Sequence, residues 1–204
     1  MSLSRTEWVV RTIAETAIEN EKYFGDLDSV VGDGDFGYSL ARGFEKLLDG
    51  WDDLDRTDAG VFLKRTGMVI ASRIGGTSGP LWGTAFMRAG AAGGDAVTML
   101  RAAIEGIKAR GQSDVGDKTL LDALVPYTDR LSFDLERGTS VEEAVRAAAV
   151  AAREAADATS GMVAKRGRAS YTGERSRGSV DAGATAVAVL AERISETWKQ
   201  GAAS

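Results

Sequence analysis

Apolar side chains recur at helical spacing along nearly the whole chain, and this pattern restricts the fold more than any other feature of the sequence. In the clearest case, which follows Asp95, the intervals are three or four residues: Val97, Leu100, Ile104 and Ile107. Such spacing places the side chains on one face of a helix, whereas a half-buried strand needs strict alternation. Alternating stretches are almost absent. The sequence therefore predicts an all-α fold.

The same criterion predicts about eight helices. In chain order they are Val9 to Phe24; Leu40 to Trp51; Val61 to Ser72 behind an Asp58 cap; a segment from near Pro80; Val97 to Ile107; Thr119 to Leu135; Val141 to Ala155 behind a capping box of Ser140 and Glu143; and about Asp181 to Trp198. Pro126 lies within the sixth and lacks a backbone donor, so we expect a kink or a shifted start there. No linker divides the segments, and residues 1–204 are expected to form a single domain.

The chain contains no cysteine and no histidine. Their absence excludes disulfides, thiolate nucleophiles, zinc sites with imidazole or thiolate ligands, and Ser-His-Asp or Cys-His catalysis. The net charge of -5 argues against general nucleic-acid binding. No apolar run approaches the ~18 residues of a membrane span, and no secretory signal is recognisable. We expect a cytoplasmic protein that binds neither nucleic acid nor membranes.

A loop with three carboxylates and several glycines follows the first predicted helix. Its acidic residues are Asp28, Asp33 and Asp35. Carboxylates this close repel one another unless a cation lies between them, and oxygen ligands without histidine or cysteine select magnesium or calcium. The alternative is a solvated acidic turn that caps the next helix.

Four predicted helix starts are rich in glycine and hydroxyl residues. They are Gly75-Gly76-Thr77-Ser78-Gly79-Pro80, Gly37-Tyr38-Ser39, Gly116-Asp117-Lys118-Thr119 and Asp181-Ala182-Gly183. Free amides at a helix N-terminus bind phosphate oxygens, although a simple helix cap is the alternative at each start. Together with the acidic loop, these starts favour a metal-bridged polyphosphate ligand.

One long connection, about residues 158–180, is polar and rich in glycine and arginine. Arginine suits phosphate geometry, and a long loop in an otherwise economical chain is often functional. We expect Tyr171 to pack this loop down and its arginines to supply guanidinium groups for phosphate. A flexible basic surface loop is the alternative.

Taken in order, these motifs resemble the L subunit of dihydroxyacetone kinases, the Dak2 domain family. The matching segments are Asp28 with Gly32-Asp33-Gly34-Asp35, Gly75 to Thr84, Gly116 to Thr119, Gly167 to Tyr171, and Asp181 to Ala184. The resemblance spans nearly the whole chain. It implies an antiparallel barrel of eight helices that holds ADP or ATP and two magnesium ions at one end.

The resemblance also implies roles for individual residues. The magnesium ligands would be Asp28, Asp33 and Asp35, which together with Arg168 form the catalytic group. The nucleotide contacts would be Phe36, Gly37, Tyr38, Ser39, Thr77, Ser78, Gly116, Arg168, Asp181, Ala182 and Gly183. This chain departs from the family at four positions, where His, Asn, His and Pro are common: Phe36, Ser39, Ser179 and Ala182.

The function implied by the resemblance is phosphoryl transfer to a triose that a separate K subunit holds through a histidine. This chain has neither the length for a K domain nor a histidine, so we expect it to be inactive on triose alone. The phosphate would come from a phosphohistidine protein of the phosphoenolpyruvate-dependent phosphotransferase system, which a freestanding L chain favours, or from ATP. The alternatives are a tetrulose kinase subunit and a nucleotide-loaded regulatory module that docks on a transcription factor.

Overall fold

The computed structural model describes residues 1–199 and 201, and this part of the chain is helical without a strand. Its nine α-helices are α1 Leu3–Glu19, α2 Glu21–Ser29, α3 Phe36–Asp49, α4 Ala59–Arg73, α5 Ser78–Ala92, α6 Ala96–Gly111, α7 Leu121–Glu136, α8 Val141–Ala158 and α9 Ala182–Glu196. Short 3-10 segments lie at Trp51–Asp53, Thr159–Gly161 and Arg168–Ser176. The all-α prediction is confirmed. Positions 200 and 202–204 of the predicted single domain lie outside the described residues.

Side-chain caps begin four helices at the residues expected from the sequence. The capping residues of α4, α6, α8 and α9 are Asp58, Asp95, Ser140 and Asp181. Each side chain accepts a hydrogen bond from the amide three residues later, which satisfies one of the free donors of the first turn. In α8 the Glu143 carboxylate also lies 2.7 Å from the Ser140 hydroxyl, so the predicted box closes through the two side chains.

The first predicted helix is in fact two helices, which raises the count from eight to nine among the described residues. The break falls at Asn20, where the backbone leaves the helical region with φ -101° and ψ 15°. The Asn20 side-chain amide and its backbone N–H both donate to the Thr16 carbonyl, at 2.9 and 3.1 Å. Asparagine often uses such local bonds to end a helix, and periodicity alone does not register them.

Contacts between helices close into a ring. α1 packs on α3, each helix from α3 to α9 packs on the next along the chain, and α9 returns to α1. The ninth helix, α2, packs on α3 with further contacts to α9 and α1. The ring is observed, whereas the antiparallel geometry of an eight-helix barrel stays a prediction.

Small residues dominate the inner faces of α8 and α9. The buried alanines of α8 are Ala144, Ala148, Ala149, Ala152 and Ala156, and those of α9 are Ala184, Ala186, Ala188 and Ala191. Such faces allow helices to approach closely and bury their apolar surface against each other. No helix in the described part of the chain is both long enough and apolar enough to cross a membrane.

Pro126 lies inside α7 and does not end it. The helix begins at Leu121, two residues after the predicted start, and continues through the proline to Glu136. The donor that Pro126 lacks would have served the carbonyl of Asp122 in the first turn, where a missing bond costs least. A helix start shifted to the proline is therefore wrong, and the kink stays a prediction.

The pair α4 and α5 is joined by glycines on both helices. A methyl group on Gly83 would lie 2.6 Å from the Ala71 Cβ and 2.7 Å from the Gly67 carbonyl oxygen. Two turns further along, a methyl group on Gly60 would lie 2.7 Å from the Gly90 carbonyl oxygen. The two backbones are thus too close for any side chain between them.

A glycine also fixes the turn between α4 and α5 against α3. Ile74 packs where a side chain on Gly43 would be, since a methyl group there would lie 2.0 Å from the Ile74 Cγ1. Beyond Ile74 the chain turns so that Gly75 lies close to the Ser39 hydroxyl. The start of α5 is therefore held beside the start of α3, which brings two of the predicted phosphate-binding turns together.

We predict that Gly83→Ala lowers the free energy of unfolding by about 1–3 kcal/mol, since the added methyl group must force α4 and α5 apart. Urea denaturation followed by circular dichroism measures the change. Gly161→Ala is the matched control, because nothing lies within 4 Å of a methyl group there and its φ is not left-handed. Equal stability of the two variants would contradict the close packing.

Candidate functional site

A cleft of about 900 Å³ opens where four connecting segments meet. The segments are the acidic loop before α3, the turn before α5, the turn before α7, and the long connection between α8 and α9. From the predicted site, the cleft is lined by Asp28, Asp33, Asp35, Phe36, Ser39, Thr77, Ser78, Arg168, Asp181, Ala182 and Gly183. Residues predicted from four separate motifs therefore share one concavity.

Asp28, at the end of α2, shapes the acidic loop. Its carboxylate accepts hydrogen bonds from the amides of Gly34, at 2.9 Å, and Phe36, at 3.4 Å. Its carbonyl accepts from Gly32 at 2.6 Å. A side chain on Gly32 would collide with the Asp28 carboxylate, and Gly34 has a left-handed φ of 76°. The glycines are needed because the loop wraps around one aspartate side chain.

The three aspartates of the loop converge. One carboxylate oxygen from each of Asp28, Asp33 and Asp35 lies within 4.8 Å of the other two. Asp33 and Asp35 are exposed and Asp28 is half-buried. This donor set, all carboxylate oxygen and open to the cleft on one side, fits a hard divalent cation such as magnesium, which keeps open positions for water and phosphate.

Arg168 reaches this cluster from the long connection. Its guanidinium forms an ion pair with Asp33 and lies 3.2 Å from an Asp35 carboxylate oxygen. The resemblance assigned Arg168 to phosphate, and the structure places it on the carboxylates, where it supplies positive charge to the cluster. Half of the Arg168 side chain is exposed (53%), so these ion pairs contribute little stability on their own.

Two helix starts at the cleft have no side-chain cap. Asp35 precedes α3 and Thr77 precedes α5, and neither side chain makes a capping hydrogen bond. The simple helix cap that was the alternative at Thr77 is therefore absent. Residues of both first turns line the cleft, and free amides at a helix N-terminus, with the positive end of the helix dipole, bind anions.

Three predicted nucleotide contacts do not line the cleft. Gly37 is buried in α3, where a methyl group would lie 2.0 Å from the Glu21 carbonyl oxygen, so this glycine allows α3 to pack on α2. Tyr38 is 59% exposed beneath the Arg42 guanidinium. The Gly116 amide already donates to Asp122, at 2.6 Å. A ligand role for these three stays a prediction without support from the cleft geometry.

The long connection is built on Lys118, which the sequence did not single out as a functional residue. Lys118 is 2% exposed, and its ammonium donates to the carbonyls of Met162, Ser176 and Ser179. By contrast Tyr171, which was expected to pack the loop down, is 90% exposed. That expectation is wrong, because the loop is held through its backbone carbonyls and not through an apolar anchor.

Asp181 combines a structural bond with an unusual pKa. Its carboxylate caps α9 by accepting from the Ala184 amide at 2.7 Å. Burial raises the pKa of Asp181 to about 7, and the nearby Asp122 carboxylate adds to the increase, whereas the Ala184 amide and Lys118 oppose it. A carboxyl group that holds its proton near neutral pH can donate a hydrogen bond into the cleft.

The residue pattern that defines the DAK2 domain matches this chain over residues 30–196. The chain belongs to the DAK2 domain family. The matched range includes Asp33, Asp35 and Arg168, together with the turns before α5, α7 and α9. It therefore covers all four segments that form the cleft.

Relatives of this DAK2 domain carry kinase names. The ADP-binding subunit DhaL of the PEP-dependent dihydroxyacetone kinase of Escherichia coli (strain K12) is 39% identical over 98% of this chain and 100% of its own length. The corresponding subunit of kinase 1 of Listeria innocua is 34% identical over 94% and 96%. The L-erythrulose 1-kinase of Mycolicibacterium smegmatis is 36% identical over 92% of this chain and 34% of its own length. This chain thus spans about a third of the erythrulose kinase.

Solved structures agree with the fold of this DAK2 domain. The native dihydroxyacetone kinase of C. freundii superposes with a TM-score of 0.77 at 25% identity, over 94% of this chain and 34% of that one. Its complex with AMP-PNP and Mg²⁺ gives a TM-score of 0.73 at 24% identity, over 94% and 33%.

We predict that Asp181 makes stability depend on pH near neutrality. The unfolded chain loses this proton near pH 4 and the folded protein near pH 7, so wild-type stability falls as the pH rises from about 4 to 7. Asp181→Asn keeps a good cap but removes the titration. Urea unfolding measures the free energy of unfolding of each protein. The value for Asp181→Asn minus that for wild type should increase by on the order of 2 kcal/mol from pH 5 to pH 8.

The control is Asp95→Asn at the start of α6. Asp95 also caps a helix, but it is exposed, and hydrogen bonds from Thr98 lower its pKa. It is ionised in both states above about pH 5, so its stability difference from wild type should be flat over this range. A flat difference for Asp181→Asn as well would contradict the raised pKa.

Proposed function

We propose that this chain is the nucleotide-binding, phosphoryl-transferring L subunit of a small-ketose kinase of the dihydroxyacetone type. The observation that carries the proposal is the arrangement of one cleft. A cluster of three carboxylates, one guanidinium and two uncapped helix starts all face it. Phosphoryl transfer needs alignment and neutralisation of charge more than covalent chemistry, and these groups supply both.

In this proposal Asp28, Asp33 and Asp35 hold two magnesium ions against the phosphates of ADP or ATP. The ions, when bound, neutralise charge on the transferred group and orient it. Asp28 has a further part, because its bonds to the Gly34 and Phe36 amides set the loop shape before any ligand arrives. The carboxylates of Asp33 and Asp35, with the Asp28 oxygen that accepts neither bond, are then left for the cations.

The phosphate oxygens would be bound by the first turns of α3 and α5, with Ser39, Thr77 and Ser78 as hydroxyl donors. The turn at Gly75 lies beside Ser39, so both sets of donors can reach one polyphosphate. Arg168, which contacts Asp33 and Asp35, is near enough to move from the carboxylates to a phosphate once cations take its place. A guanidinium fork suits that role.

The ketose that accepts the phosphoryl group must be held by another protein, because this chain has no histidine to hold it. We propose a K subunit as the partner that brings the triose to the mouth of the cleft. The phosphate source we propose is a phosphohistidine protein that recharges bound ADP. The relatives that this chain matches over their full length, from Escherichia coli and Listeria innocua, are named as ADP-binding subunits of PEP-dependent kinases. We also propose a cytoplasmic location, since such a reaction would take place there.

A second candidate is an ATP-dependent tetrulose kinase subunit. It is favoured by the L-erythrulose 1-kinase of Mycolicibacterium smegmatis, which is 36% identical over 92% of this chain. Reconstitution with a K subunit separates the two candidates. Transfer that needs the phosphohistidine protein supports the first, and transfer from ATP alone to erythrulose supports the second. Nucleotide binding without any transfer would instead indicate a regulatory module.

We predict that Asp35→Asn abolishes phosphoryl transfer and leaves the helical fold intact, because it removes one anionic oxygen from the cation cluster. In wild type, ADP and magnesium together should raise the melting temperature far more than the sum of their separate effects. At about 100 times the dissociation constant the gain is about 2.7 kcal/mol, or roughly 5–11 °C for a chain of this size. The variant should lose this joint shift.

Asp26→Asn is the matched control. It makes the same chemical change in the preceding helix, at an exposed carboxylate that pairs with Lys22 away from the cleft. It should keep both the transfer activity and the joint shift. Near-wild-type turnover of Asp35→Asn, or purely additive shifts in wild type, would refute the proposed arrangement of metal and phosphate.

A further inference from the structure

Lys118 is a buried cation whose hydrogen bonds all go to the long connection between α8 and α9. Its Nζ lies 3.2 Å from the Met162 carbonyl oxygen and 2.7 Å from that of Ser179, and it also donates to the Ser176 carbonyl. An ammonium group has three donors, so every one is used. The acceptors come from both ends of the connection, which Lys118 therefore draws together.

The base of the connection is closed by further bonds around the same point. The Gly178 amide donates to the Ser160 carbonyl at 2.8 Å, and the Ala164 amide donates to the Ser176 hydroxyl at 2.9 Å. Residues 159–164 and 176–181 thus form a paired base. Residues 165–175 form an arc above it, and this arc carries Arg168.

The backbone that presents Lys118 is itself fixed. Lys118 has a left-handed φ of 62°, which is uncommon for a residue with a side chain and persists only when the surroundings impose it. Here the Asp122 carboxylate imposes it, because its two oxygens accept from the Gly116 amide at 2.6 Å and the Thr119 amide at 2.7 Å. The Lys118 side chain is therefore aimed by a turn closed on both sides.

The arc has little else to hold it. Its Arg168 pairs with carboxylates through a half-exposed side chain, and Lys165 and Arg166 lie 3.5 and 3.7 Å from Asp117 oxygens, also with about half of each side chain exposed. Ion pairs between exposed groups are weak and salt-sensitive. The four glycines of the connection increase the conformational entropy that is lost when it becomes ordered. Besides these pairs, the Lys165 amide donates to the Asp117 carbonyl at 3.0 Å, and a 3-10 segment orders residues 168–176 locally. The placement of Arg168 over the carboxylates therefore depends mainly on the base.

We propose that Lys118 is a positioning residue that acts through Arg168: by clamping the base of the 159–181 connection, it holds Arg168 over the Asp33 and Asp35 carboxylates before nucleotide binds. The inference rests on the proposed function for the role of Arg168 in transfer. Without the ammonium, the buried Ser176 carbonyl keeps only the Ser179 hydroxyl as donor, and the half-buried Met162 and Ser179 carbonyls lose the donor that joins them to it. Acceptors that lose a donor away from bulk water favour local opening. Arg168 would then be present but not oriented.

A double-mutant cycle tests this inference. We expect Arg168→Gln to lower kcat about 10²-fold, the usual loss when one oriented charge is removed from a transition state. Lys118→Met should lower kcat by about as much in the wild-type background, since small misplacements of a catalytic group cost up to ~10²-fold. In the Arg168→Gln background it should cost no more than about twofold. If the two losses in kcat multiply in the double variant, the two residues act independently and the proposal is overturned. Lys46→Met, at an exposed ion pair on α3, should leave kcat unchanged.

A second readout does not depend on activity. Hydrogen exchange of the nucleotide-free protein should show the amides of residues 165–175 exchanging faster in Lys118→Met than in wild type, with exchange in α4 and α5 unchanged. Unchanged exchange in the arc would overturn the proposal. If instead no condition gives transfer in wild type, the proposed function fails while this measurement still decides the role of Lys118.

Chemical rescue covers the case in which Lys118→Met does not fold. The chain has no cysteine, so Lys118→Cys introduces a single thiol that can be alkylated with bromoethylamine in urea and refolded. The product carries an ammonium group on a chain of lysine length. It should restore slow exchange in the arc and most of kcat, whereas alkylation with iodoacetamide should not. Failure of both adducts alike would contradict a role for the ammonium.

Discussion

Repulsion among three carboxylates is the constraint on which the arrangement of this molecule's cleft depends. Asp28, Asp33 and Asp35 bring their oxygens within 4.8 Å of one another, and a fold gains nothing from such crowding by itself. Backbone amides donate hydrogen bonds to Asp28, and the Arg168 guanidinium pairs with Asp33 and Asp35. One guanidinium does not balance three carboxylates, and we propose that a divalent cation supplies the remaining positive charge.

The groups that we propose for phosphate and those that we propose for metal come from different parts of the fold, and different contacts hold them in place. A wrapped aspartate shapes the acidic loop. The turn before α5 is placed by Ile74 against Gly43, and Arg168 depends on a distant lysine. Asp28 also belongs to the proposed metal site, whereas Gly43, Ile74 and Lys118 have no proposed contact with the nucleotide. The accuracy of the cleft therefore comes from neighbours that a list of contacts to the nucleotide would omit.

The sequence predicted those features that depend on residues close together in the chain. The caps at Asp58 and Ser140 involve an amide three residues on, and the acidic loop spans eight residues. The role of Lys118 was not predicted because its hydrogen-bond acceptors lie 44 to 61 residues away in the chain. The exposure of Tyr171 was mispredicted because a polar loop can be ordered without an apolar anchor.

The glycine contacts between α4 and α5 have a consequence for how a protein of this shape can change. A backbone pair in van der Waals contact has no side chains that can repack, so its spacing cannot drift by gradual substitution. Helix α5 begins at one of the uncapped turns, and that turn inherits this fixed spacing. We therefore expect changes in the ketose acceptor or in the partner subunit to involve outward-facing residues and the long connection. The spacing between α4 and α5 should stay the same.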